Sequence, residues 1–389
     1  MLRPALISCW LCGLAIGSAC ADPVTQDYEA RLVKSLQAIN NNRLDLALTE
    51  VDSLLLAKPN FKLAQLVKGD LLMARAGAID NFGGAAHGPR GEINGLRDEA
   101  VVRLQRVLTQ TDTRLTPRFL WQLDAQQKYA LVVDTSRSTL FVYENANGEA
   151  RYVTDFYVTI GKLGTDKVAE GDQRTPIGVY FVKAGLPKSQ LADLYGNGAY
   201  PLSYPNEWDR RNQRTGSGIW LHGTPSDTYS RPPRASNGCV VLANDDLNKL
   251  APYLQAGITP IIITNRMDWS SEADQSERAA LLQAIEQWRM DWASLDTGAY
   301  LAHYAPGFSS GSMNYLSWAR QKQLVNSAKS WIKVGLTNVS LFTYPERPDL
   351  VVVNFEQEYS SNNLSNRMQK RQYWIKQDHL WKIIYEGAA

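Results

Sequence analysis

The sequence predicts a multi-domain protein: an N-terminal α-helical module, a central mainly-β domain and a C-terminal α+β domain. Three observations lead there. The chain has 389 residues, enough at roughly 150 per domain for two to three domains, each burying its own core. The hydrophobic period changes from helix to strand near Tyr129 and returns to helix after about residue 277. A composition of 44% hydrophobic and 21% charged residues, without a long polar low-complexity tract, is that of a globular chain. The charge balance, 41 − 39 = +2, leaves no electrostatic footprint for nucleic acid.

Residues 1–21 read as a secretory signal: Arg3, an apolar run from Leu6 to Ile16, and small residues ending Ala19-Cys20-Ala21, with cleavage before Asp22. The run is short for a bilayer span. Acylation of Cys20 is the alternative, although Gly17 stands where a large aliphatic residue is expected. No later stretch looks transmembrane. The expected location is therefore the periplasm or cell envelope. Three of the four cysteines, Cys9, Cys12 and Cys20, lie in the segment to be removed, so the mature chain keeps only Cys239. A single thiol cannot form an internal disulfide, and Cys239 is then a buried filler or a reactive group.

Apolar residues at helical spacing run from Tyr28 to Leu36, from Leu44 to Leu55 and from Ala64 to Ala76, with a further helix at about 92–108. Asn40-Asn41-Asn42, Lys58-Pro59-Asn60 and Gly77 interrupt them. The Asn42–Leu48 string with Pro59 resembles one tetratricopeptide-type hairpin; no second copy follows, so an array is not expected. This module spans 22–119, and covering the next domain is its expected role, with docking the alternative. From 120 to 266, β-branched and aromatic runs separated by polar turns predict an antiparallel meander: Tyr129–Asp134, Thr139–Tyr143, Tyr152–Ile160, Val179–Val182, Gly218–Leu221, Val240–Leu242 and Ile258–Thr264. A short helix, Asp245 to Leu254, is expected with Asn244 as its cap. Polar residues 267–277 read as a linker. In 278–389, helices at Arg278–Leu295, Thr297–Tyr304 and Tyr315–Ala328 precede strands at Val334–Phe342, Leu350–Ser360, Arg367–Lys376 and Leu380–Glu386.

One stretch carries the chemistry: Trp220-Leu221-His222-Gly223-Thr224, a Pro/Ser/Arg loop, then Ser236-Asn237-Gly238-Cys239-Val240. His222 ends one apolar strand and Cys239 begins another, so two strand ends can bring imidazole and thiol together. A thiol of pKa near ~8.5 is only a few per cent thiolate at neutral pH, and an adjacent imidazole draws off its proton and later returns it to a leaving amine. Gly238 leaves room for a substrate backbone, the amides of Gly238 and Cys239 can face an oxyanion, and the Gly223 carbonyl can orient the imidazole. One thiol and four scattered histidines offer no metal-ligand spacing, and the chemistry calls for no cofactor. A papain-like protease is disfavoured, because there the cysteine precedes its histidine.

These motifs resemble the L,D-transpeptidases of bacterial cell walls, with their YkuD-type catalytic domain: a His-Gly pair, a spacer, then Ser/Thr-His-Gly-Cys. Thr175-Pro176-Ile177-Gly178 is similar to the family's Thr-Pro-x-Gly turn, and the resemblance covers roughly 128–264. It implies Cys239 as nucleophile, His222 as base, Gly223 as orienting carbonyl and the Ser236–Cys239 turn as oxyanion site. Two departures stand out: Asn237 replaces the usual histidine, and Val241 an arginine found in many members. The C-terminal segment resembles a nuclear-transport-factor-like (SnoaL-type) cone, through Trp288, Trp292, Tyr300, Tyr304, Phe308 and the closing Leu380–Glu386 run. His303 and His379 are candidates for its pocket; His87 is a weaker site candidate. Catalytic domain followed by cone is similar to a subgroup linked to cell-shape control.

What the resemblance implies is attack by Cys239 on the diamino-acid carbonyl of a peptidoglycan tetrapeptide stem, loss of D-alanine, and transfer to an amine as a 3–3 cross-link. Hydrolysis to a tripeptide is the alternative, a non-catalytic wall-binding protein the next. A lysine of an outer-membrane lipoprotein is a further possible acceptor, and an envelope protein a partner for the cone.

Overall fold

A computed structural model describes residues 28–77, 81–84, 88–109 and 112–389. The signal segment with Cys9, Cys12 and Cys20, and His87, lie outside the described residues. Four helices open the chain: α1 (Tyr28–Asn40), α2 (Leu44–Ala57), α3 (Lys62–Ala76) and α4 (Arg90–Leu108). Leu32, Val51, Leu54, Phe61 and Val67 recur at helical spacing, and together with Ala100 they close one apolar cluster.

The central region holds β1 (Leu120–Gln122), β2 (Tyr129–Asp134), β3 (Thr139–Ala146), β4 (Glu149–Tyr157), β5 (Ile160–Gly161), β6 (Gly178–Phe181), β7 (Leu186–Pro187), β8 (Gly198–Pro201), α5 (Glu207–Arg211), β9 (Trp220–His222), β10 (Arg234–Ser236), β11 (Val240–Val241), α6 (Asn244–Leu250) and β12 (Pro260–Thr264). A five-stranded sheet runs β4-β3-β2-β12-β6 and a four-stranded one β11-β9-β8-β7. The expected antiparallel meander holds for β2, β3 and β4. The sheets as a whole are mixed, because β12 pairs parallel with β2, β11 with β9, and β10 with β5. The continuous apolar run of β12, buried throughout, is what a strand covered on both faces requires.

The C-terminal part comprises α7 (Glu272–Ala293), α8 (Thr297–Leu301), β13 (Tyr304–Ser310), β14 (Met313–Asn314), α9 (Tyr315–Ser327), β15 (Ile332–Tyr344), β16 (Arg347–Ser361), β17 (Ser365–Gln377) and β18 (Leu380–Ala388). Its sheet, ordered β1-β15-β16-β17-β18-β13-β14, curls around an aromatic core of Trp288, Trp292, Tyr300, Trp318 and Trp374.

Three boundaries differ from the sequence reading. Strand β1 leaves the catalytic region and pairs with β15 of the C-terminal sheet. Residues 267–277 are packed rather than loose: Met267 is buried, Pro117 bridges Trp269, and a Ser271–Asp274 capping box starts α7 six residues before Arg278. Tyr304 opens a strand instead of closing a helix. One apolar cluster, including Phe181, Ile262, Phe342, Tyr344 and Tyr373, joins catalytic and C-terminal parts.

The helical module packs on the catalytic domain through the loop after Thr224. Tyr229 stacks against Phe61 at 4.7 Å, Asn60 donates to the Ser226 carbonyl at 3.1 Å, and Ser230 Oγ donates to the buried Glu99 at 2.6 Å. Arg103 lies over the Tyr157 ring at 3.9 Å.

Candidate active site

Strands β9 and β11 run parallel, with Leu221 beside Val240 and His222 beside Val241. One residue earlier the same register sets Cys239 beside Trp220. Side chains alternate along a strand, so Cys239 and His222 share one face while Leu221 and Val240 fill the core on the other. The two Cα atoms are one strand and two residues apart, about 8 Å from ordinary sheet spacings.

His222 is 3% exposed, and its Nδ1 lies 2.7 Å from the Gly223 carbonyl oxygen. A carbonyl only accepts, so Nδ1 carries the proton and Nε2 of the neutral ring is left with a free lone pair. Burial pushes the imidazole pKa down to about 4; the Gly223 hydrogen bond opposes this and the charge of Arg231 adds to it. The Tyr195 ring meets the imidazole edge-on at 5.1 Å. Gly223 cannot be replaced here, since a Cβ would stand 2.1 Å from Asn244 Oδ1. Asn244 does not cap α6 as the sequence suggested. Its side chain accepts from the Asn197 amide and donates to the Thr224 carbonyl, both at 2.8 Å, which ties down the chain just past His222.

The turn before Cys239 is similarly fixed. Ser236 Oγ donates to the Cys239 carbonyl at 2.6 Å and accepts the Gly238 amide at 3.1 Å. The Gly238 amide, expected to face an oxyanion, is thus turned onto Ser236. Gly238 has φ +120, and a Cβ there would lie 2.7 Å from the Arg174 carbonyl. Its own carbonyl accepts from Thr175 Oγ1 at 2.9 Å, and Thr175 Oγ1 in turn accepts the Gly161 amide at 2.9 Å. In a trans peptide C=O and N–H point opposite ways, so anchoring the Gly238 carbonyl aims the Cys239 amide away from Thr175. Asn237 is exposed.

Cys239 is half-buried, and its Sγ donates to the Gly218 carbonyl at 3.3 Å. Burial raises its pKa, while the Trp220 backbone amide, Arg231 and Lys167 pull it down. With the thiol shifted up and the imidazole down, the resting pair is neutral: a thiol beside an unprotonated base.

The family model of the L,D-transpeptidase catalytic domain matches residues 128–263, and that of the Cds6 C-terminal NTF2-like domain, of the nuclear-transport-factor-like class, matches 280–387. No curated protein sequence matches the chain. The solved structure of Bd1075 from Bdellovibrio bacteriovorus is 32% identical, with a TM-score of 0.62, over 71% of this chain and 98% of that one. This chain belongs to the L,D-transpeptidase family. The helical cell shape determining protein Pgp2 from Campylobacter jejuni is 26% identical over 71% of this chain and 96% of its own, with a TM-score of 0.59. As an L,D-transpeptidase-family enzyme the chain is a peptidoglycan-modifying protein, and its place is the cell envelope. No helix among the described residues is long and apolar enough to cross a membrane.

Four residues of this L,D-transpeptidase-family site escaped the sequence reading as individuals: Tyr195, Asn244 as a tie, Thr175 as an anchor for Gly238, and Arg231. Thr175 lay inside a quoted motif and Arg231 inside the quoted loop, but neither contact has a sequence signature. The cone histidines do not gather into a pocket site. His303 Nε2 pairs with Asp291 at 2.7 Å, and His379 is exposed in the turn between β17 and β18. Among the buried polar groups of the cone, Glu386 accepts from Tyr304 at 3.0 Å, Gln372 at 2.9 Å and Lys370 at 2.5 Å.

Proposed function

We propose that Cys239 is the nucleophile and His222 the general base of an L,D-transpeptidase reaction on peptidoglycan stems. What supports this most is the parallel β9–β11 register, which sets both residues on one face with the imidazole tautomer held by Gly223. In this reading Nε2 takes the thiol proton as sulfur attacks the diamino-acid carbonyl of a tetrapeptide. The Cys239 amide, aimed by Thr175, stabilises the oxyanion. His222 then protonates the departing D-alanine amine, leaving a thioester on Cys239. An incoming amine, deprotonated by the same Nε2, closes a 3–3 cross-link; water in its place gives a tripeptide.

The likeness to the cell-shape determinant Pgp2 over nearly the whole of that chain supports a role in cell shape, with hydrolysis to a tripeptide as the alternative outcome. A signal at 1–21, a helical module, a catalytic domain and a cone that begins with α7 make up the division in this proposal, with an envelope partner at the cone.

Mass spectrometry of muropeptides after incubating disaccharide tetrapeptide with the protein, and with Cys239→Ala, tests it. Dimers that require Cys239 are expected. Tripeptides alone would assign the hydrolase, and no change with either protein would favour a wall-binding role.

A further inference from the structure

We propose that Arg231 reads the terminal carboxylate of the donor stem, binding the α-carboxylate of the D-alanine that the Cys239 reaction displaces. This rests on the assignment of Cys239 as nucleophile.

The backbone around Arg231 is fixed on both sides. Its carbonyl accepts from Tyr157 Oη and Thr159 Oγ1, each at 3.0 Å, and the Pro232 carbonyl accepts from Thr159 Oγ1 at 2.9 Å. Ser230, just before it, is held by Glu99 of α4. The half-buried side chain turns toward the catalytic turn, where Nη2 donates to the Ala235 carbonyl at 2.5 Å, one residue before Ser236. Its charge reaches both Cys239 and His222.

That bond uses one of five guanidinium donors. Among the described residues no carboxylate lies within ion-pair distance of Arg231, Asp227 acting on it only at longer range. The other cation acting on Cys239, Lys167, is already committed to Asp172 and the Ala169 carbonyl, both at 2.8 Å. Val241 is buried and bridges Thr159, so nothing at that position meets an anion. A partly desolvated guanidinium without a counter-ion is costly, and a bound carboxylate removes that cost through a bidentate pair.

The substrate offers such a group close to the carbonyl that is attacked. In a tetrapeptide the terminal carboxylate carbon is three bonds, about 3–4 Å, from the attacked carbonyl carbon. The step balances without a co-reactant. The S–H proton goes to His222 Nε2, the S–C bond forms, and the C–N bond breaks. The proton passes to the amine, and D-alanine leaves with its carboxylate on Arg231. One more residue moves that carboxylate out by about 3.5 Å, so the site selects tetrapeptide over pentapeptide donors.

The test is calorimetric binding of the tetrapeptide acid and its C-terminal carboxamide to Cys239→Ala, alone and combined with Arg231→Gln or Arg231→Lys. The same donors are followed kinetically with the Cys239-containing proteins. Expected is 10- to 100-fold (about the worth of a charged hydrogen-bonded pair) weaker binding of the amide, a preference that Arg231→Gln abolishes and Arg231→Lys partly restores. KM should carry the effect, with alkylation of Cys239 within about threefold of wild type. Equal binding of acid and amide by the Cys239→Ala protein overturns the inference, as does discrimination that survives Arg231→Gln. A fall in kcat and alkylation on both donors alike would make Arg231 a support for the thiol and also overturn it. Acid-selective, Arg231-dependent binding without any D-alanine release would instead sustain the carboxylate reading and refute the nucleophile assignment.

Discussion

Thr175→Val isolates the anchor of the turn that leads into Cys239. Valine keeps the shape of threonine but removes the oxygen that joins the Gly238 carbonyl to the Gly161 amide. Thr175 is 0% exposed, so no water replaces the lost bonds directly. Leaving a buried donor or acceptor unpaired costs about 1–3 kcal/mol. Two such groups give about 2–6 kcal/mol, less any relaxation of the turn. Urea unfolding followed by tryptophan fluorescence reads this as a lower midpoint at unchanged slope. The Gly238–Cys239 peptide is then free to rotate, and the Cys239 amide loses its aim. Losing one oxyanion donor lowers kcat by about 10²–10³, with KM nearly unchanged, because the contact is made only in the transition state. Alkylation of Cys239 should change little, since the thiol keeps its environment. A variant within about 0.5 kcal/mol of wild type, or one with wild-type kcat, refutes the reasoning.

Four further outcomes are expected. The acid limb of kcat/KM lies near pH 4 rather than at the ~6.5 of a free imidazole; a limb at 6.5 would show that His222 titrates as if exposed. Because the folded pKa of His222 is depressed, the unfolded state binds more protons between pH 6.5 and 4. Stability intact above 6.5 therefore falls as pH drops toward 4, by about 3 kcal/mol, and His222→Gln should flatten this window in urea titrations. Ser230→Ala removes the hydroxyl that Glu99 holds, at about 1–2 kcal/mol, and hydrogen exchange should rise across residues 226–232 while the cone stays protected. Phe342→Ala, from a side chain 0% exposed in the cluster shared by catalytic domain and cone, should cost about 3–5 kcal/mol and lower the stability of both parts together; two separated transitions would contradict the shared core.

The sequence carried the three-part order, because its period changes from 3.6 to 2 and back are strong local signals. It also marked His222 and Cys239 as candidates, since a glycine stands beside each. Strand direction was not legible. The β12 run reads the same in a parallel or an antiparallel sheet, and only the path of the chain sets it beside β2. Residues 267–277 read as a linker because polar residues dominate, whereas tertiary pairing through Trp269 and Met267 makes them structural. His303 and His379 were candidates by residue type alone; a hydrogen bond to Asp291 and an exposed turn account for them. Arg231 stayed hidden for the opposite reason: its importance comes from contacts to Tyr157, Thr159 and Ala235, which no spacing rule connects.

The central claim is that Cys239 forms a thioester with the stem peptide. Intact-protein mass spectrometry of the enzyme quenched in acid during turnover of disaccharide tetrapeptide tests it most directly. An adduct of one tetrapeptide donor less D-alanine is expected, mapped to the Cys239 peptide, removed by hydroxylamine and absent from Cys239→Ala. D-Alanine release at equal rate from both proteins, or an adduct on another residue, would contradict it.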